Sequence, residues 1–142
     1  MKKNILVSLV VLFVLSILTA SAYNSSKSKV TEVAKTTKVE VYYFHFTRRC
    51  ITCQAVETES LKAIMALYPG QYKSGKITLK SVNLDDSNNK SLAIKCKAEG
   101  QALLVISGNK RFDLTDQGFM YARSNPDKLK QKIKATIDPL IK

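Results

Sequence analysis

The sequence predicts an α/β fold with the element order β-α-β-α-β-β-α, in which helices flank a central mixed sheet. Three observations lead to this prediction. Apolar runs of strand length alternate with segments of helical periodicity, the last two strand-like runs are separated by the short turn 107–110, and an apolar stripe at helical spacing closes the chain. A helix that crosses between the first two strands makes them parallel, whereas the turn makes the last two antiparallel.

The first half of the predicted domain is a strand, a long helix and a second strand. Residues 38–46 are mostly apolar and rich in aromatic residues, which suits a central strand buried on both faces. After a turn, apolar residues including Met65 recur every three or four positions over residues 50–68, which predicts a helix that Pro69-Gly70 ends. The apolar and polar alternation over residues 77–83 predicts a half-exposed strand near an edge.

The second half contains a short helix, a hairpin and a final helix. Residues 85–89 offer N-caps for a helix of about residues 90–97, which Gly100 ends. Residues 102–106 and 111–115 form the two strands of the hairpin, and Asp116 is expected to cap a helical turn over residues 117–122. Asn125 and Pro126 then predict the start of the last helix. Its buried stripe should contain Leu129, Ile133, Ile137 and Ile141.

The N-terminal residues predict export. A charged start at Lys2 and Lys3, an apolar run over residues 5–18 and the small-residue ending Ala20-Ser21-Ala22 are typical of a signal peptide, here residues 1–22. The alternative is an uncleaved membrane anchor, although the run is short of the roughly 20 residues that span a bilayer. Residues 23–37 are rich in Ser, Lys and Thr and predict a linker, which leaves residues 38–142 as the domain. The expected location is extracytoplasmic, in a periplasm or at a cell surface.

The chain is strongly basic, with 23 basic and 11 acidic residues. This balance favours anionic partners or surfaces. Nucleic acid is not predicted, because an exported protein seldom meets it and no basic motif interleaved with aromatic residues is present. The densest basic run, residues 128–134, is interpreted as the solvated face of the last helix.

The C-x-x-C sequence formed by Cys50, Ile51, Thr52 and Cys53 carries the predicted chemistry. It follows a strand and opens a helix, which places the first sulfur among unpaired N–H groups at the positive end of the helix dipole and stabilises its thiolate. The second cysteine lies one helical turn behind, close enough to attack a mixed disulfide formed at the first. Cys50 is therefore the predicted nucleophile and Cys53 the resolving thiol.

This element order with a C-x-x-C pair after the first strand resembles the minimal thioredoxin fold over residues 38–140. The strings YYFHFTRRCITC at 42–53 and GQALL at 100–104 are similar to a group of exported bacterial thioredoxin-like proteins labelled as a nitrophenyl-compound nitroreductase subunit. The cysteine pair and the resemblance to the thioredoxin fold together predict a thiol–disulfide oxidoreductase that acts on protein thiols and disulfides and exchanges electrons with a membrane or periplasmic redox partner. Such an activity is expected to need no cofactor.

The residues around the pair differ from the thioredoxin pattern. That family has an aromatic residue before the first cysteine and Gly-Pro between the cysteines, where this chain has Arg49 and Ile51-Thr52. Arg48 and Arg49 are expected to stabilise a Cys50 thiolate and so to favour a more oxidising couple. The alternative is that both arginines only solubilise the turn.

Two further positions depart from that family. Thioredoxins carry a cis-proline before the third core strand, and Gln101 occupies the matching position. Because a cis bond before another residue costs about 3 kcal/mol, we expect a trans peptide, altered substrate docking and sulfurs less shielded from metal ions. Phe44 replaces the buried acid often found beneath the pair. Glu57, one turn beyond Cys53, is a candidate to accept its proton, and a plain surface role is the alternative.

Cys96 and His45 have structural and functional interpretations. His45 should lie opposite to Phe44 and Phe46 as a core or edge histidine. Cys96, near the end of the second helix, should pack as a small apolar residue. Alternatively, Cys96 exchanges with the pair, or the three thiolates bind copper(I) or a trivalent arsenical, which would make the chain a soft-metal or metalloid carrier.

No metal site is predicted. Cys50, Cys53, Cys96 and His45 have the residue types of a zinc site, but they lack a second short-spaced ligand pair. A third alternative function is a redox-inert accessory subunit that keeps the fold for docking.

Overall fold

A computed structural model describes residues 38–142, and the predicted signal segment 1–22 and linker 23–37 lie outside the described residues. The strands within this range are β1 (Val39–His45), β2 (Ile77–Asn83), β3 (Ala102–Ser107) and β4 (Lys110–Asp113). The α-helices are α1 (Ile51–Leu67), α2 (Pro69–Lys73), α3 (Lys90–Cys96), α4 (Thr115–Tyr121) and α5 (Pro126–Ile137). None of these helices is long and apolar enough to cross a membrane.

The four strands form one mixed sheet with the order β2-β1-β3-β4. β1 pairs in parallel with β2, from Val39 opposite Ile77 to His45 opposite Asn83, and it pairs antiparallel with β3. β4 pairs antiparallel with β3. The predicted fold class is confirmed, and the topology is that of a small thioredoxin-like fold.

β1 lies in the middle of the sheet because its residues are apolar on both faces. Val41 and Tyr43 face one side, whereas Tyr42 and Phe44 face the other, since successive side chains of a strand alternate. All four side chains are buried. The strand therefore contributes to two separate apolar clusters, one on each face of the sheet.

The larger cluster lies between the sheet and helices α1 and α5. Val56 and Ile64 of α1 are fully buried in it. The smaller cluster lies between the other face and α3, which contributes Ala93 and Cys96. Helices α1 and α3 are thus on opposite faces of the sheet, and this arrangement separates Cys96 from the start of α1.

The final helix has the predicted start and most of the predicted stripe. Asn125 Oδ1 accepts a hydrogen bond from the N–H of Lys128 at 3.1 Å, and Pro126 is the first helical residue. Ile141 lies beyond the end of the helix and is partly buried. The other three stripe residues are fully buried: Leu129, Ile133 and Ile137.

The end of α1 departs from the prediction in two ways. Pro69 ends α1 as expected, but it also begins α2 where a loop was expected, because proline fits the first turn of a helix. Met65, predicted in the buried stripe, is 50% exposed, while Ser60 of the same helix is fully buried. Because serine is polar, an apolar pattern does not include Ser60, and the buried face of α1 therefore differs from the predicted stripe at these two positions.

The start of α4 also differs from the prediction. The helix begins at Thr115, and Asp113 Oδ1 accepts hydrogen bonds from the Thr115 hydroxyl and from its backbone N–H, the latter at 3.0 Å. Asp116, the expected cap, lies inside the first turn, where a negative charge is favourable. The carboxylate that holds the helix start therefore comes from the preceding strand.

Tyr68 connects the end of α1 to the residue that follows α5. Its buried side chain donates a hydrogen bond to Asp138 Oδ1 at 2.7 Å. Tyr68→Phe is expected to lower the free energy of unfolding by about 1 kcal/mol, because one hydrogen bond is lost while the ring still packs. Urea unfolding at pH 7 measures this difference.

The same contact predicts an acid dependence. The Lys134 ammonium and the Tyr68 hydroxyl lower the pKa of Asp138. A carboxyl pKa that is lower in the folded chain stabilises the fold above the unfolded value of about 4, and this contribution is lost as the pH falls through the folded value. The stability difference between wild type and Tyr68→Phe should therefore shrink below about pH 4. Asp138→Asn is the matched control and should show a flatter acid dependence, whereas a Tyr68→Phe difference that persists unchanged to pH 3 would contradict this assignment.

Candidate redox site

The two cysteines of the C-x-x-C sequence lie at the start of α1. Cys50 is the N-cap of the helix, with an extended backbone (φ −74°, ψ 164°), and its Sγ accepts a hydrogen bond from the N–H of Cys53 at 3.1 Å. The two sulfurs form a disulfide, with the Cα atoms 5.1 Å apart. The predicted proximity of the two sulfurs is confirmed.

The two sulfurs differ in their access to solvent. Cys50 is an exposed residue, whereas Cys53 is only 4% exposed. When the disulfide is reduced, the N–H groups of the first helical turn stabilise a negative charge on Cys50. An exposed thiol at the helix start with a buried thiol one turn behind suits attack by Cys50 and resolution by Cys53.

The turn between β1 and α1 is held at the end of β2. The N–H of Thr47 donates to Asp85 Oδ2 at 2.7 Å, and the Thr47 hydroxyl accepts from Asn83 Nδ2 at 3.0 Å. The hydrogen bonds with Thr47 lower the pKa of Asp85. Because β1 and β2 are parallel, both end at this edge of the sheet, and the turn that positions Cys50 is anchored by both strands. Sequence reasoning assigned residues 85–89 only to helix capping and missed this role, although their place after a parallel strand was the signal.

Arg49 packs against the protein. Its guanidinium lies over the Tyr43 ring, 5.6 Å from the ring centroid, and it forms an ion pair with Glu57 of α1. The Arg49 and Glu57 side chains are 22% and 26% exposed, and burial raises the pKa of Tyr43 beneath them. Arg49 is therefore packed and paired, and its expected stabilisation of a Cys50 thiolate stays a prediction. Arg48 is exposed and forms no ion pair with another residue in the range 38–142.

Glu57 lies four residues after Cys53 and therefore on the same side of α1. Its carboxylate is held by Arg49 and is half-buried, so it differs from an ordinary solvent-facing helix residue. The arrangement places an acid one helical turn from the resolving sulfur. Whether Glu57 moves a proton stays a prediction.

Gln101 lies at the same end of the sheet as the redox turn. Ala102 is opposite Phe44 in the ladder between β1 and β3, so the preceding residue is next to the end of β1. Residues 38–142 contain no cis peptide bond, and the expected trans peptide at Gln101 is confirmed. Gln101 is half-buried, which leaves part of its surface open beside the turn.

His45 is a packed residue at the end of β1. It is 9% exposed, its Nδ1–H donates to the Phe46 carbonyl oxygen at 2.8 Å, and its ring stacks on Tyr43 with centroids 5.7 Å apart. Tyr43 belongs to the opposite face from Phe44. The predicted core histidine and its orientation relative to Phe44 are confirmed.

Cys96 is buried under α3, at 4% exposure, in the cluster on the face of the sheet opposite α1. Burial raises the pKa of its thiol. The predicted packing role is confirmed. The alternative in which Cys96 joins Cys50 and Cys53 on one soft ion is wrong for this fold, and the described part of the chain holds no group of three or more His, Cys, Asp or Glu residues placed to bind a metal ion.

Comparisons with known proteins add little to this geometry. No family model matches the sequence, and no curated protein matches it. A solved structure described as "Structure of a malarial protein" aligns with 67% of this chain and 96% of its own, at 23% identity and a TM-score of 0.42. That likeness is too distant to bear on function. The predicted similarity to the exported nitroreductase-subunit group therefore stays a prediction.

Proposed function

We propose that this chain is an exported thiol–disulfide oxidoreductase that acts on protein substrates and exchanges electrons with a membrane or periplasmic redox partner. The observation that carries the proposal is the disulfide between exposed Cys50 and buried Cys53 at the start of α1. A bond between an accessible and a shielded sulfur at a helix N-terminus is suited to reversible exchange.

In the reducing direction, the Cys50 thiolate attacks one sulfur of a substrate disulfide, and the other substrate sulfur leaves as a thiolate. Cys53 then loses its proton to water or to the Glu57 carboxylate and attacks Cys50 Sγ. This attack breaks the mixed disulfide and releases the substrate sulfur that was bonded to Cys50 as a thiolate. The substrate gains two electrons and the pair becomes the disulfide. The oxidising direction is the reverse of these steps, and the reduction potential of the pair decides between them.

Apolar side chains beside Cys50 favour a protein substrate. Ile51, between the two cysteines, is 67% exposed, and Phe46, at the start of the turn, is 39% exposed. Contiguous apolar surface and aromatic side chains are typical of sites that contact other proteins. A polypeptide segment that covers these two side chains would bring its own sulfur close to Cys50.

Insulin reduction by dithiothreitol tests the proposed activity. The protein is expected to accelerate insulin precipitation above the rate with dithiothreitol alone, and the potential of the pair is measured in glutathione buffers. A redox-inert accessory subunit would give no acceleration. A soft-metal carrier would instead retain copper(I) in anaerobic protein without exchange activity.

The proposed export has its own test. Secretion of the full chain followed by N-terminal sequencing is expected to give a mature protein that begins at Tyr23. A protein that keeps Met1 and pellets with membranes would indicate the uncleaved anchor.

Glu57→Gln is expected to speed alkylation of reduced Cys50 by iodoacetamide at pH 6 by about three- to tenfold, because the thiolate is stabilised when a nearby negative charge is removed. The carboxylate of Glu57 offsets the charge of Arg49, the residue that directly precedes Cys50. Its removal leaves a positive charge that stabilises the thiolate. The measurement is made in a Cys53→Ser background, so that Cys50 is the accessible thiol followed by mass spectrometry.

Glu59→Gln provides the matched control for this prediction. Glu59 is on the same helix and pairs with Lys62 at 2.8 Å, so this substitution removes the same charge without freeing Arg49. The rate for Glu59→Gln should stay within about twofold of its parent. Equal effects of the two substitutions would show that Arg49 does not act on Cys50.

A further inference from the structure

A second cleft lies on the face of the sheet opposite α1. Its volume is about 250 Å³, and it is bounded by β1, the end of α3 and the hairpin formed by β3 and β4. Tyr42 and Ile106 line it and belong to the smaller apolar cluster. Neither cysteine of the redox pair lines this cleft, so it is separate from the proposed exchange site.

Three lysines surround the cleft. Lys95, Lys97 and Lys110 line it, and none of them forms an ion pair with a residue in the range 38–142. Glu40 also lines the cleft, but two further lysines bind its carboxylate at 3.4 Å each. The lining therefore carries a positive charge that a bound anion would neutralise.

Lys97 has a backbone conformation that usually belongs to glycine. It follows α3 with φ 53° and ψ 45°, in the left-handed region. Helices that end in this way most often have glycine at this position, because a Cβ atom is unfavourable there. Strained residues of this kind concentrate at functional sites. Here the strained position brings a lysine side chain to the cleft.

Arg111 fixes the end of α3 at the rim of the cleft. Its Nε donates to the Cys96 carbonyl oxygen at 3.0 Å, and its Nη2 donates to the Lys97 carbonyl oxygen at 3.3 Å. These bonds satisfy carbonyl groups that a helix end leaves open. The bond to Lys97 also holds the backbone of this residue at the rim of the cleft.

We propose that this cleft binds a small organic anion, a carboxylate or phosphate monoester with a compact apolar body. The anionic group contacts the lysines, and the apolar body lies against Tyr42 and Ile106. Burial raises the pKa of Tyr42, which keeps its hydroxyl protonated as a donor. The cleft is smaller than the roughly 300–1,000 Å³ of drug-sized sites, which limits the ligand to about one substituted ring.

Titration of the ¹⁵N-labelled protein at constant ionic strength tests the proposal, with phenyl phosphate, benzoate, benzamide and inorganic phosphate as probes. Phenyl phosphate or benzoate should give saturable amide shifts at residues 95–97 and 107–111 and should bind at least about tenfold more tightly than neutral benzamide. The tighter of the two anions identifies the preferred charged group. Binding of benzamide as tight as that of both anions, inorganic phosphate as good as phenyl phosphate, or no saturable shifts with either organic anion would overturn the proposal.

Two double variants distinguish binding in the cleft from attraction by the net positive charge of the protein. Lys97→Gly with Lys110→Gln should weaken binding by at least about tenfold, while its unfolding midpoint stays within error or rises, since glycine suits the backbone at 97. Lys130→Gln with Lys132→Gln removes the same charge from α5 and should leave binding unchanged. Equal weakening in both double variants would mean that net charge alone attracts the anion, which overturns the proposal.

Discussion

Cys50→Ser is expected to lower the rate of insulin reduction to that of dithiothreitol alone, because the exposed sulfur at the start of α1 is the one that a substrate can reach. Cys53 is 4% exposed and sits behind it, so it cannot replace the lost nucleophile. Cys53→Ser should also lose turnover, but for a different reason. It retains the attacking sulfur and lacks the thiol that releases the substrate.

The two variants are distinguished by what accumulates. Cys53→Ser incubated with oxidised insulin should form a mixed disulfide through Cys50, detected by mass spectrometry and cleaved by excess dithiothreitol. Cys50→Ser should form none. An adduct on Cys53 in the Cys50→Ser variant would contradict the assigned roles of the two sulfurs.

Cys96→Ala is the control for this pair of substitutions. Cys96 lies in the apolar cluster on the other face of the sheet, and the face that carries α1 is separated from it by β1 and its neighbours. Turnover by Cys96→Ala should therefore stay within about twofold of wild type, with a modest loss of stability from the smaller buried side chain. Loss of turnover equal to that of Cys50→Ser would implicate the third cysteine in exchange.

The sequence was sufficient for the local part of the redox site. The spacing of Cys50 and Cys53 at a predicted helix start determines which sulfur is exposed and which lies one turn behind, since both depend on helical geometry within four residues. The mixed sheet could be predicted equally well, because crossover and hairpin connections determine which strands run parallel. These features depend on short-range patterns.

The contacts around the cysteine pair could not be predicted from the sequence. The sequence does not indicate which residues Arg49 contacts. The fold brings Tyr43 and Glu57 to its guanidinium. The sequence likewise left Cys96 with several roles, and only the assignment of α1 and α3 to opposite faces excluded a shared ion. Tertiary packing determines where a long side chain lies and on which face of the sheet a helix packs. The local periodicity of a sequence does not contain this information.

The rigidity of the redox helix depends on the core beneath it, and Ile64 is its most informative position. Ile64 is fully buried in the larger cluster between the sheet, α1 and α5. Ile64→Ala is expected to lower the free energy of unfolding by about 2–5 kcal/mol, because it removes buried methyl groups and leaves a cavity that packed neighbours refill only in part. Since small domains are stable by only about 5–15 kcal/mol, this is a large part of the total.

Ile94→Ala is the matched control, because it makes the same chemical change at a helical residue that is 67% exposed. Its stability should stay within about 0.5 kcal/mol of wild type. Urea unfolding of reduced and oxidised protein measures both variants, with an unchanged m-value as the sign that the folded states remain comparable. Because Ile64 is more than two helical turns from Cys53, folded Ile64→Ala protein should keep the wild-type alkylation rate at Cys50. A change in that rate is expected only under conditions in which a measurable fraction of the variant is unfolded. Equal costs at the two positions would mean that α1 does not pack on the core as the structure places it.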